Sequence, residues 1–320
     1  MNKIKVGVVG VGHMGHYHVN VLSMLNHNLA DLVGVYDINK KRASEIAGSY
    51  DIKNFDSYEE LINSVEALSI AVPTSKHFEV GKQALDNGKH ILIEKPITTS
   101  TEEAENLFNI AQKKKLIVQV GHVERFNGAV QELKNIVKHP YLWEARRLGP
   151  QTGRINDVGV AHDLMIHDID ICLNTVDDDV TDVNAFGYID KDKLEDVATA
   201  HIKFKKGCIA IITSSRLTQE KIRVLSISQK DSYIYLDFTT QDLQIHRQAS
   251  SMITTSTDNI KYRQEALIER LFVHKENPLK SQFIHFLKTI KKEEKPFVVN
   301  EKDLETLRIT NMIIEKIHTK

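Results

Sequence analysis

Residues 7–18 read GVVGVGHMGHYH and place three glycines, Gly10, Gly12 and Gly15, directly after an apolar run. The run, IKVGVV (4–9), is rich in β-branched residues, which is typical of a strand buried on both faces of a parallel sheet. After Gly15, apolar residues recur at every third position, as on one face of a helix. The sequence therefore predicts a strand, a glycine turn and a helix in this order.

This order is typical of a dinucleotide-binding site. In a G-x-G-x-x-G turn the first glycine permits a tight turn, the second lets backbone approach a pyrophosphate, and the third lets the helix pack on the strand. The helix N-terminus presents free N–H groups and a partial positive charge to the phosphates. An ordinary tight turn is the alternative interpretation of the glycines alone.

A carboxylate supports the dinucleotide interpretation. The next apolar run, LADLVGVYD (29–37), ends in Asp37, where an acidic residue accepts hydrogen bonds from the adenosine ribose hydroxyls. The alternative is that Asp37 only caps a helix beginning near Asn39. Because Asp37 would repel a 2′-phosphate, the sequence favours NAD over NADP, and Arg42 is a neighbouring cation at the same end of the site.

The composition limits the classes of binding partner and the cellular compartment that we expect for this protein. The 320 residues suffice for two domains, and 42 Lys and Arg balance 43 Asp and Glu, so no net field attracts nucleic acid or a membrane surface. The two cysteines, Cys172 and Cys208, suit a reducing compartment. The first strand begins at about Ile4, which leaves no room for a signal peptide, and no apolar run approaches the roughly 18 residues of a membrane span. We expect a cytoplasmic protein.

The chain divides into two regions of different rhythm. Up to residue 122, apolar strands such as ALSIAVP (67–73) and HILIEKP (90–96) alternate with amphipathic helices, which predicts a parallel α/β sheet. Beyond about residue 140, short alternating strands such as DVATAHIKFKKG (196–207) predict a mainly antiparallel sheet. We therefore predict a Rossmann dinucleotide-binding domain over 1–122 and a substrate-binding and oligomerisation α+β domain over 123–320.

The predicted second sheet has two faces to cover. Helices cover one face, and the other would stay exposed unless a second subunit packed on it. We expect a homodimer or homotetramer formed through that face.

Three stretches carry candidate catalytic residues: IEKP (93–96), GHVERFN (121–127) and HDLMIHDID (162–170). IEKP ends a predicted strand, where open α/β sheets bind ligands. Asp163 and His167 are four residues apart, so a helix would carry both on one face. Each stretch also has a non-catalytic interpretation: Lys95 as a solvated strand end, Arg125 as part of a surface ion pair, and the Asp163 and His167 pair as a helix-stabilising contact. Half of a metal site is a further alternative, but beyond the neighbouring His162 and Asp168 no third ligand set stands out, and we predict no metal.

Five motifs in this order resemble the Gfo/Idh/MocA family of sugar oxidoreductases: GVGHMGHYH, AVPTSKH, EKPITTS, GHVERFN and DLMIHDID. The resemblance implies a Rossmann domain, an open antiparallel sheet domain, and an active site between them. It implies a catalytic lysine at Lys95, a paired aspartate and histidine at Asp163 and His167, and a cis peptide before Pro96. The residues that we expect at the NAD cofactor are Gly10, Gly12, His13, Met14, Gly15, Asp37, Arg42, Pro73, Thr74, His77, Glu94 and Lys95.

Within the family, GHVERFN, EARRLGP (144–150) and DVGVAHDLMIHDIDI (157–171) are similar to sequences of the sugar-nucleotide dehydrogenases that oxidise UDP-N-acetylglucosamine at C3. Gly128 and His162 depart from that pattern, which has a proline and an aliphatic residue there. The resemblance implies a sugar-nucleotide substrate bound by Lys95, Asp163 and His167, and the further residues that we expect at the substrate are Arg125, Asn127, Arg147 and Arg154.

Arg125 is the preferred ligand of the diphosphate, because a guanidinium makes bidentate contacts to phosphate. Arg146 and Arg147 rank lower, since one strand points neighbouring side chains to opposite faces. Either Lys95 or His167 serves as the base that removes the hydroxyl proton. A dehydrogenase of free sugars or inositols and a non-catalytic NAD-bound sensor or repressor are the alternative functions.

Overall fold

The computed structural model describes residues 3–25, 29–151, 157–190, 193–256 and 259–319, with only the backbone for 248–266. Strands and helices alternate in its first part, as the apolar runs predict. In chain order these elements are β1 (Ile4–Val9), α1 (His13–Leu25), β2 (Ala30–Tyr36), α2 (Lys40–Tyr50), β3 (Lys53–Asn54), α3 (Tyr58–Ser64), β4 (Ala67–Ile70), α4 (His77–Asp86), β5 (His90–Glu94), α5 (Thr101–Lys114) and β6 (Val118–Gly121).

The first sheet has the strand order β3-β2-β1-β4-β5-β6, and all its pairs are parallel. This is the Rossmann order, with the direction of winding reversing between β1 and β4. Ligands of such sheets bind outside the carboxyl ends of the strands at that reversal. The glycine turn after β1 and Lys95 after β5 both lie at this edge, and the predicted Rossmann fold is confirmed.

The second part forms a sheet of eight strands in the order β14-β13-β12-β11-β7-β10-β9-β8. Among the described strand pairs of this second sheet, only that of β7 with β10 is parallel, so the predicted mainly antiparallel sheet is confirmed. Its elements are α6 (Gly128–Ile136), β7 (Leu142–Pro150), α7 (Ile166–Val176), β8 (Val180–Tyr188), β9 (Val197–Phe204), β10 (Ile209–Ser215), β11 (Leu217–Gln229), β12 (Ser232–Asp237), β13 (Asp242–Ser256), β14 (Asn259–Leu271), α8 (Pro278–Ile290) and α9 (Asn300–His318).

The C-terminal helices pack on both domains, which the division at residue 122 does not anticipate. Phe283 and Phe286 of α8 are fully buried in one cluster with Val6 and Val8 of β1. In α9, Leu307 joins the other core of the Rossmann domain, whereas neighbouring apolar residues join the core of the second domain. Helical periodicity shows that these helices have an apolar face but does not show which domain covers it.

The second sheet has one covered and one open face. Residues of α6, α7 and α9 form a single core with the covered face. On the open face, Ile209 and Tyr233 are 44% and 39% exposed. Among the described helices, none has the length and apolarity needed to span a membrane.

Candidate active site

The glycine turn has the geometry that a dinucleotide requires. Gly10 adopts φ +81°, which favours glycine, and a Cβ on Gly15 would lie 1.8 Å from the carbonyl oxygen of Gly10. A Cβ on Gly12, in contrast, would meet no described atom within 4 Å. Gly12 therefore faces open space at the N-terminus of α1, where a pyrophosphate binds against backbone N–H groups. His13 and Met14 begin α1 and are exposed beside this space.

Asp37 and Arg42 lie against the same turn. The two carboxylate oxygens of Asp37 accept hydrogen bonds from the backbone N–H groups of Val11, at 2.7 Å, and Asn39, at 2.8 Å. Arg42 donates from Nε to the carbonyl of Val11 at 3.2 Å. The N-cap of α2 is Asn39, so the alternative that Asp37 itself caps this helix is wrong. Asp37 is half-buried at the end of β2, where ribose hydroxyls bind in this fold.

Two groups expected at the cofactor are engaged elsewhere. The buried ring of His77 has Nδ1 2.8 Å from the carbonyl of Pro96 and Nε2 3.0 Å from that of Val72. The backbone N–H of Thr74 donates to the carboxylate of Asp157 at 2.9 Å, while Pro73 is exposed beside it. We therefore correct the expectation for the His77 ring, which positions the loops after β4 and β5 instead of contacting a ligand.

Glu94 also differs from the expectation that it contacts the cofactor. Its carboxylate is buried, with Oε1 3.0 Å from Nε2 of His18, and Nδ1 of His18 lies 2.7 Å from the hydroxyl of Ser69. Burial acts to raise the pKa of Glu94, but the interactions with His18, Lys95 and His77 together outweigh it and hold the pKa below its usual range. The side chain of Glu94 thus joins β5 to α1 and β4 inside the domain.

Lys95 projects from the end of β5 toward the second domain. Its Nζ donates to the backbone carbonyl of Asp163 at 2.6 Å and to Oδ1 of the same residue at 2.9 Å. The side chains of Lys95 and Asp163 retain 12% and 20% of their exposure, so the ion pair is partly open to solvent where the two domains meet, and we call this place the cleft. The Lys95–Pro96 peptide is cis, as the resemblance implies.

His167 lies beside this pair. The residue is partly exposed, and its buried Nδ1 has no hydrogen-bond partner among the described residues. Burial, followed by the positive charges of Lys95 and Arg147, holds the pKa of His167 well below the usual value of a histidine. The imidazole is therefore neutral at neutral pH and able to accept a proton.

The paired aspartate and histidine that the resemblance implies, Asp163 and His167, are joined by no hydrogen bond among the described residues. A π-helical turn, Ala161–Met165, contains Asp163 and precedes α7, in which His167 occupies the first turn. The wider turn alters the spacing expected for an α-helix, and Asp163 bonds to Lys95. Asp163 and His167 therefore both lie near Lys95, but they belong to separate elements.

Arg147 is a structural residue, which corrects the expectation that it binds substrate. Its guanidinium donates to Asp168 at 3.0 and 2.8 Å and to Glu124 at 2.9 Å, and it lies over the ring of Phe238. Only 2% of Arg147 is exposed. Arg146 is exposed on the opposite face of β7, as the strand alternation predicts.

Arg125 is also unavailable to a diphosphate. Its guanidinium bonds to both oxygens of Asp170, with Nε to Oδ2 at 2.8 Å, and to the carboxylate of Asp303 in α9. All three groups are buried. Arg125 thus joins the 3₁₀ turn Val123–Phe126 to α7 and α9, and we correct the expectation that it binds the diphosphate.

Asn127 and Arg154 complete the predicted substrate residues. Asn127 is buried, caps α6 by accepting from the N–H of Ala129 at 3.1 Å, and donates to the carbonyl of Phe238 at 3.2 Å. Its amide therefore fixes the start of α6 and is not free for a substrate. Arg154 lies outside the described residues.

One buried group has the composition of a metal site. His122, Asp170 and Asp303 bring a ring nitrogen and two carboxylates within 4.8 Å of one another. The Arg125 guanidinium bonds to both carboxylates and supplies the positive charge there. Burial lowers the pKa of His122 to about 4, so the imidazole is neutral. Other suggested ligands are also engaged, since Asp168 binds Arg147 and His162 lies 2.8 Å from the amide oxygen of Asn311.

Sequence reasoning missed Arg223. It lies in β11 directly opposite Arg147, and it is close enough to Asp163 and His167 to interact electrostatically with both. The alternating pattern of IRVLSISQ predicts the strand but carries no information about its register with β7.

Comparison with known proteins agrees with this architecture. The model of an oxidoreductase family with an NAD-binding Rossmann fold matches residues 4–122, and that of the GFO/IDH/MocA C-terminal domain matches residues 127–231. A UDP-N-acetylglucosamine 3-dehydrogenase from Acidithiobacillus ferrooxidans is 36% identical over 254 residues, which cover 79% of this chain and 80% of the relative.

A solved structure and a second relative extend the comparison. The structure of a UDP-N-acetylglucosamine 3-dehydrogenase from Acidithiobacillus ferrooxidans has a TM-score of 0.88 and 32% identity, covering 100% of this chain and 99% of that one. A scyllo-inositol 2-dehydrogenase (NAD(+)) from Bacillus subtilis is 29% identical over 233 residues, 67% of this chain and 68% of the relative. The chain therefore belongs to the Gfo/Idh/MocA family and is an oxidoreductase of CH–OH groups with an NAD-binding Rossmann domain.

Proposed function

We propose that this enzyme oxidises the C3 hydroxyl of UDP-N-acetylglucosamine to a 3-keto sugar nucleotide. The observation that carries the proposed chemistry is the partly exposed ion pair of Lys95 and Asp163, at the edge of the sheet that also holds the glycine turn, with His167 close enough for the charge of Lys95 to act on it. The similarity to the Acidithiobacillus ferrooxidans dehydrogenase of this substrate supports the choice of sugar.

Oxidation of a secondary alcohol removes a hydride from carbon and a proton from oxygen. NAD, when bound, supplies the nicotinamide that accepts the hydride. The open space at Gly12, the α1 N-terminus and Asp37 are the features that would hold the dinucleotide. The remaining requirement, removal of the proton, falls to side chains of this chain.

His167 is the base in this proposal, and Lys95 is the cation beside the hydroxyl. The neutral imidazole of His167 accepts the hydroxyl proton, a role worth about 10²- to 10⁴-fold in rate. The Lys95 ammonium, held by Asp163, stabilises the negative charge that develops on the oxygen. The two residues come from different elements, since Lys95 follows β5 and His167 lies in α7.

The cofactor preference follows from Asp37. Its half-buried carboxylate lies at the end of β2, where the adenosine ribose binds in this fold, so we expect NAD to bind more tightly than NADP. Measured dissociation constants check this: Asp37→Ala should narrow the difference between the two cofactors, and equal affinities of the wild type would contradict the preference.

The open sheet face motivates the proposed assembly, a homodimer or homotetramer. Ile209 and Tyr233 are exposed on that face, and packing against a second subunit would bury both. Light scattering should give a dimer or tetramer at micromolar concentration, and Ile209→Asp with Tyr233→Asp should give monomers. The free, buried cysteines agree with a cytoplasmic location, which we propose as well.

A substrate panel tests the proposed function. With NAD present, formation of the reduced cofactor is followed for UDP-N-acetylglucosamine, other sugar nucleotides, N-acetylglucosamine and myo-inositol. The proposal predicts the highest kcat/KM for UDP-N-acetylglucosamine, because remote binding energy orients the reacting hydroxyl. Equal efficiency with inositol would favour the free-polyol dehydrogenase, and NAD binding without any turnover would favour the sensor.

A further inference from the structure

The register of the second sheet places two arginines side by side. β11 pairs antiparallel with β7, and Arg223 lies directly opposite Arg147. Directly opposite residues share one face of the sheet, with Cβ atoms about 5 Å apart. Because Arg147 faces α7 and the turn that carries Glu124, Arg223 faces the same side, toward the cleft.

The two arginines differ in how their donors are used. Arg147 bonds to Asp168 and Glu124 through three nitrogens and is almost completely buried. Arg223 is partly exposed, and in the described part of the chain its guanidinium makes no hydrogen bond or ion pair. A guanidinium has five N–H donors in a fixed fork, so a set of donors remains available at this position.

Arg223 is also close to the reacting groups. Its charge acts on Asp163 and on His167, the residues that neighbour Lys95. Asp163 is paired with Lys95, and Glu124 and Asp168 are paired with Arg147. The nearby carboxylates therefore already have cationic partners, and Arg223 is the cation of this group left to meet an anion from outside.

We propose that Arg223 binds a phosphate group of the sugar-nucleotide substrate, in place of Arg125 and Arg147, which are held by buried carboxylates. This inference rests on the proposed function. A planar guanidinium makes parallel N–H···O bonds to two phosphate oxygens, whereas a neutral hydroxyl offers no charge to balance it. Burial and the neighbouring Arg147 lower the pKa of Arg223, and the negative charge of a bound anion would offset both effects by favouring the charged guanidinium.

The test compares Arg223→Met with Arg223→Lys and with Arg146→Met as the control. Arg146 is exposed on the opposite face of β7, so its replacement removes the same charge without facing the cleft. Binding of UDP to enzyme saturated with NADH is measured by calorimetry. Thermal unfolding is measured in parallel to show that each variant folds.

We expect Arg223→Met to weaken UDP binding by about 10- to 100-fold, the range of one hydrogen-bonded charge, and Arg223→Lys to recover part of it. Arg146→Met should bind UDP as the wild type does. UDP binding by Arg223→Met equal to that of the wild type, or absence of UDP binding by the wild type, would overturn the proposal.

Turnover measurements show which of the two phosphates Arg223 contacts, and they distinguish failure of this contact from failure of the proposed function. The kcat/KM of wild type and Arg223→Met is compared for UDP-N-acetylglucosamine, N-acetylglucosamine 1-phosphate and N-acetylglucosamine. Loss with both phosphorylated sugars identifies the phosphate on the sugar, and loss with UDP-N-acetylglucosamine alone identifies the distal phosphate. An equal loss with unphosphorylated N-acetylglucosamine would overturn the phosphate contact. Failure of the proposed function is distinct, because the wild type would then bind UDP without oxidising its sugar conjugate.

Discussion

Nζ of Lys95 lies 2.6 Å from the carbonyl oxygen and 2.9 Å from Oδ1 of Asp163, so a residue of the Rossmann domain is bonded to the π-helical turn of the second domain. Replacing Lys95 by methionine removes the cation that stabilises the developing oxyanion. Turnover should fall by about two to four orders of magnitude, with NAD affinity nearly unchanged. Steady-state kinetics and equilibrium binding of NAD check this prediction.

Lys82→Met is the matched control. Lys82 is an exposed lysine of α4 whose partner is the surface carboxylate of Asp86. Its loss should leave turnover unchanged, since exposed pairs of this kind contribute about 1 kcal/mol or less. Near-normal turnover of Lys95→Met would contradict a role for Lys95 in catalysis.

The pH profile reports on His167. Burial and the cations around it, Lys95, Arg147 and Arg223, lower its pKa, together with the neighbouring His122. The base must be neutral to work, and a lowered pKa keeps it neutral to lower pH. The kcat/KM of the wild type should therefore stay level as the pH falls through about 6.5, the ordinary histidine value, and decline only below it.

His167→Asn provides the comparison for that profile. This variant should lose about two to four orders of magnitude in turnover and also lose the decline at acid pH. An acid limb of the wild type centred at or above the ordinary histidine pKa, or an unchanged limb in His167→Asn, would exclude His167 as the base.

The glycine turn could be interpreted fully from sequence, since its chemistry is local. Strand, turn, helix and the carboxylate at Asp37 follow from residues close together in the chain, and the structure places each as predicted. The arginines could not be interpreted in this way. Whether Arg125 faces a ligand or a carboxylate depends on Asp170 and Asp303, and Asp303 is far away in the chain and joins through the packing of α9.

The contacts of Asp163 and His167 could not be predicted from the sequence for another reason. Their spacing predicts one helical face, but the turn that contains Asp163 is π-helical, and Lys95 from another domain takes its carboxylate. The local periodicity of the sequence predicts neither the π-helical turn nor the ion pair with Lys95. The contacts that Asp163 and His167 make therefore depend on tertiary structure, and their part in catalysis stays a prediction.

Two glycine variants separate binding from folding. A Cβ at Gly12 meets no described protein atom within 4 Å, whereas a Cβ at Gly15 would lie 1.8 Å from the Gly10 carbonyl oxygen. Gly12→Ala should keep the wild-type Tm but weaken NAD binding, because its methyl group occupies the pyrophosphate space. Gly15→Ala should lower the Tm. Calorimetric NAD binding beside thermal unfolding checks both, and undiminished NAD affinity of Gly12→Ala would contradict the placement of the pyrophosphate.

Arg125 is predicted to act on stability. Arg125→Met leaves Asp170 and Asp303 buried without their cation, and breaking such a buried pair costs about 3 to 5 kcal/mol. Urea unfolding should show this loss. Any residual turnover should fall equally for UDP-N-acetylglucosamine and for N-acetylglucosamine. A variant of wild-type stability that is impaired only with the nucleotide sugar would restore Arg125 as the phosphate ligand.

The most direct test of the proposed function follows the hydrogen that leaves the sugar. UDP-N-acetylglucosamine carrying deuterium at C3 is incubated with the wild-type enzyme and NAD, and the reduced cofactor is analysed by mass spectrometry. The proposal predicts deuterium in the reduced cofactor, and none when the label is at C4. Transfer from C4 instead, or no transfer from the nucleotide sugar while myo-inositol reduces NAD, would contradict the assignment of this enzyme as a 3-dehydrogenase of UDP-N-acetylglucosamine.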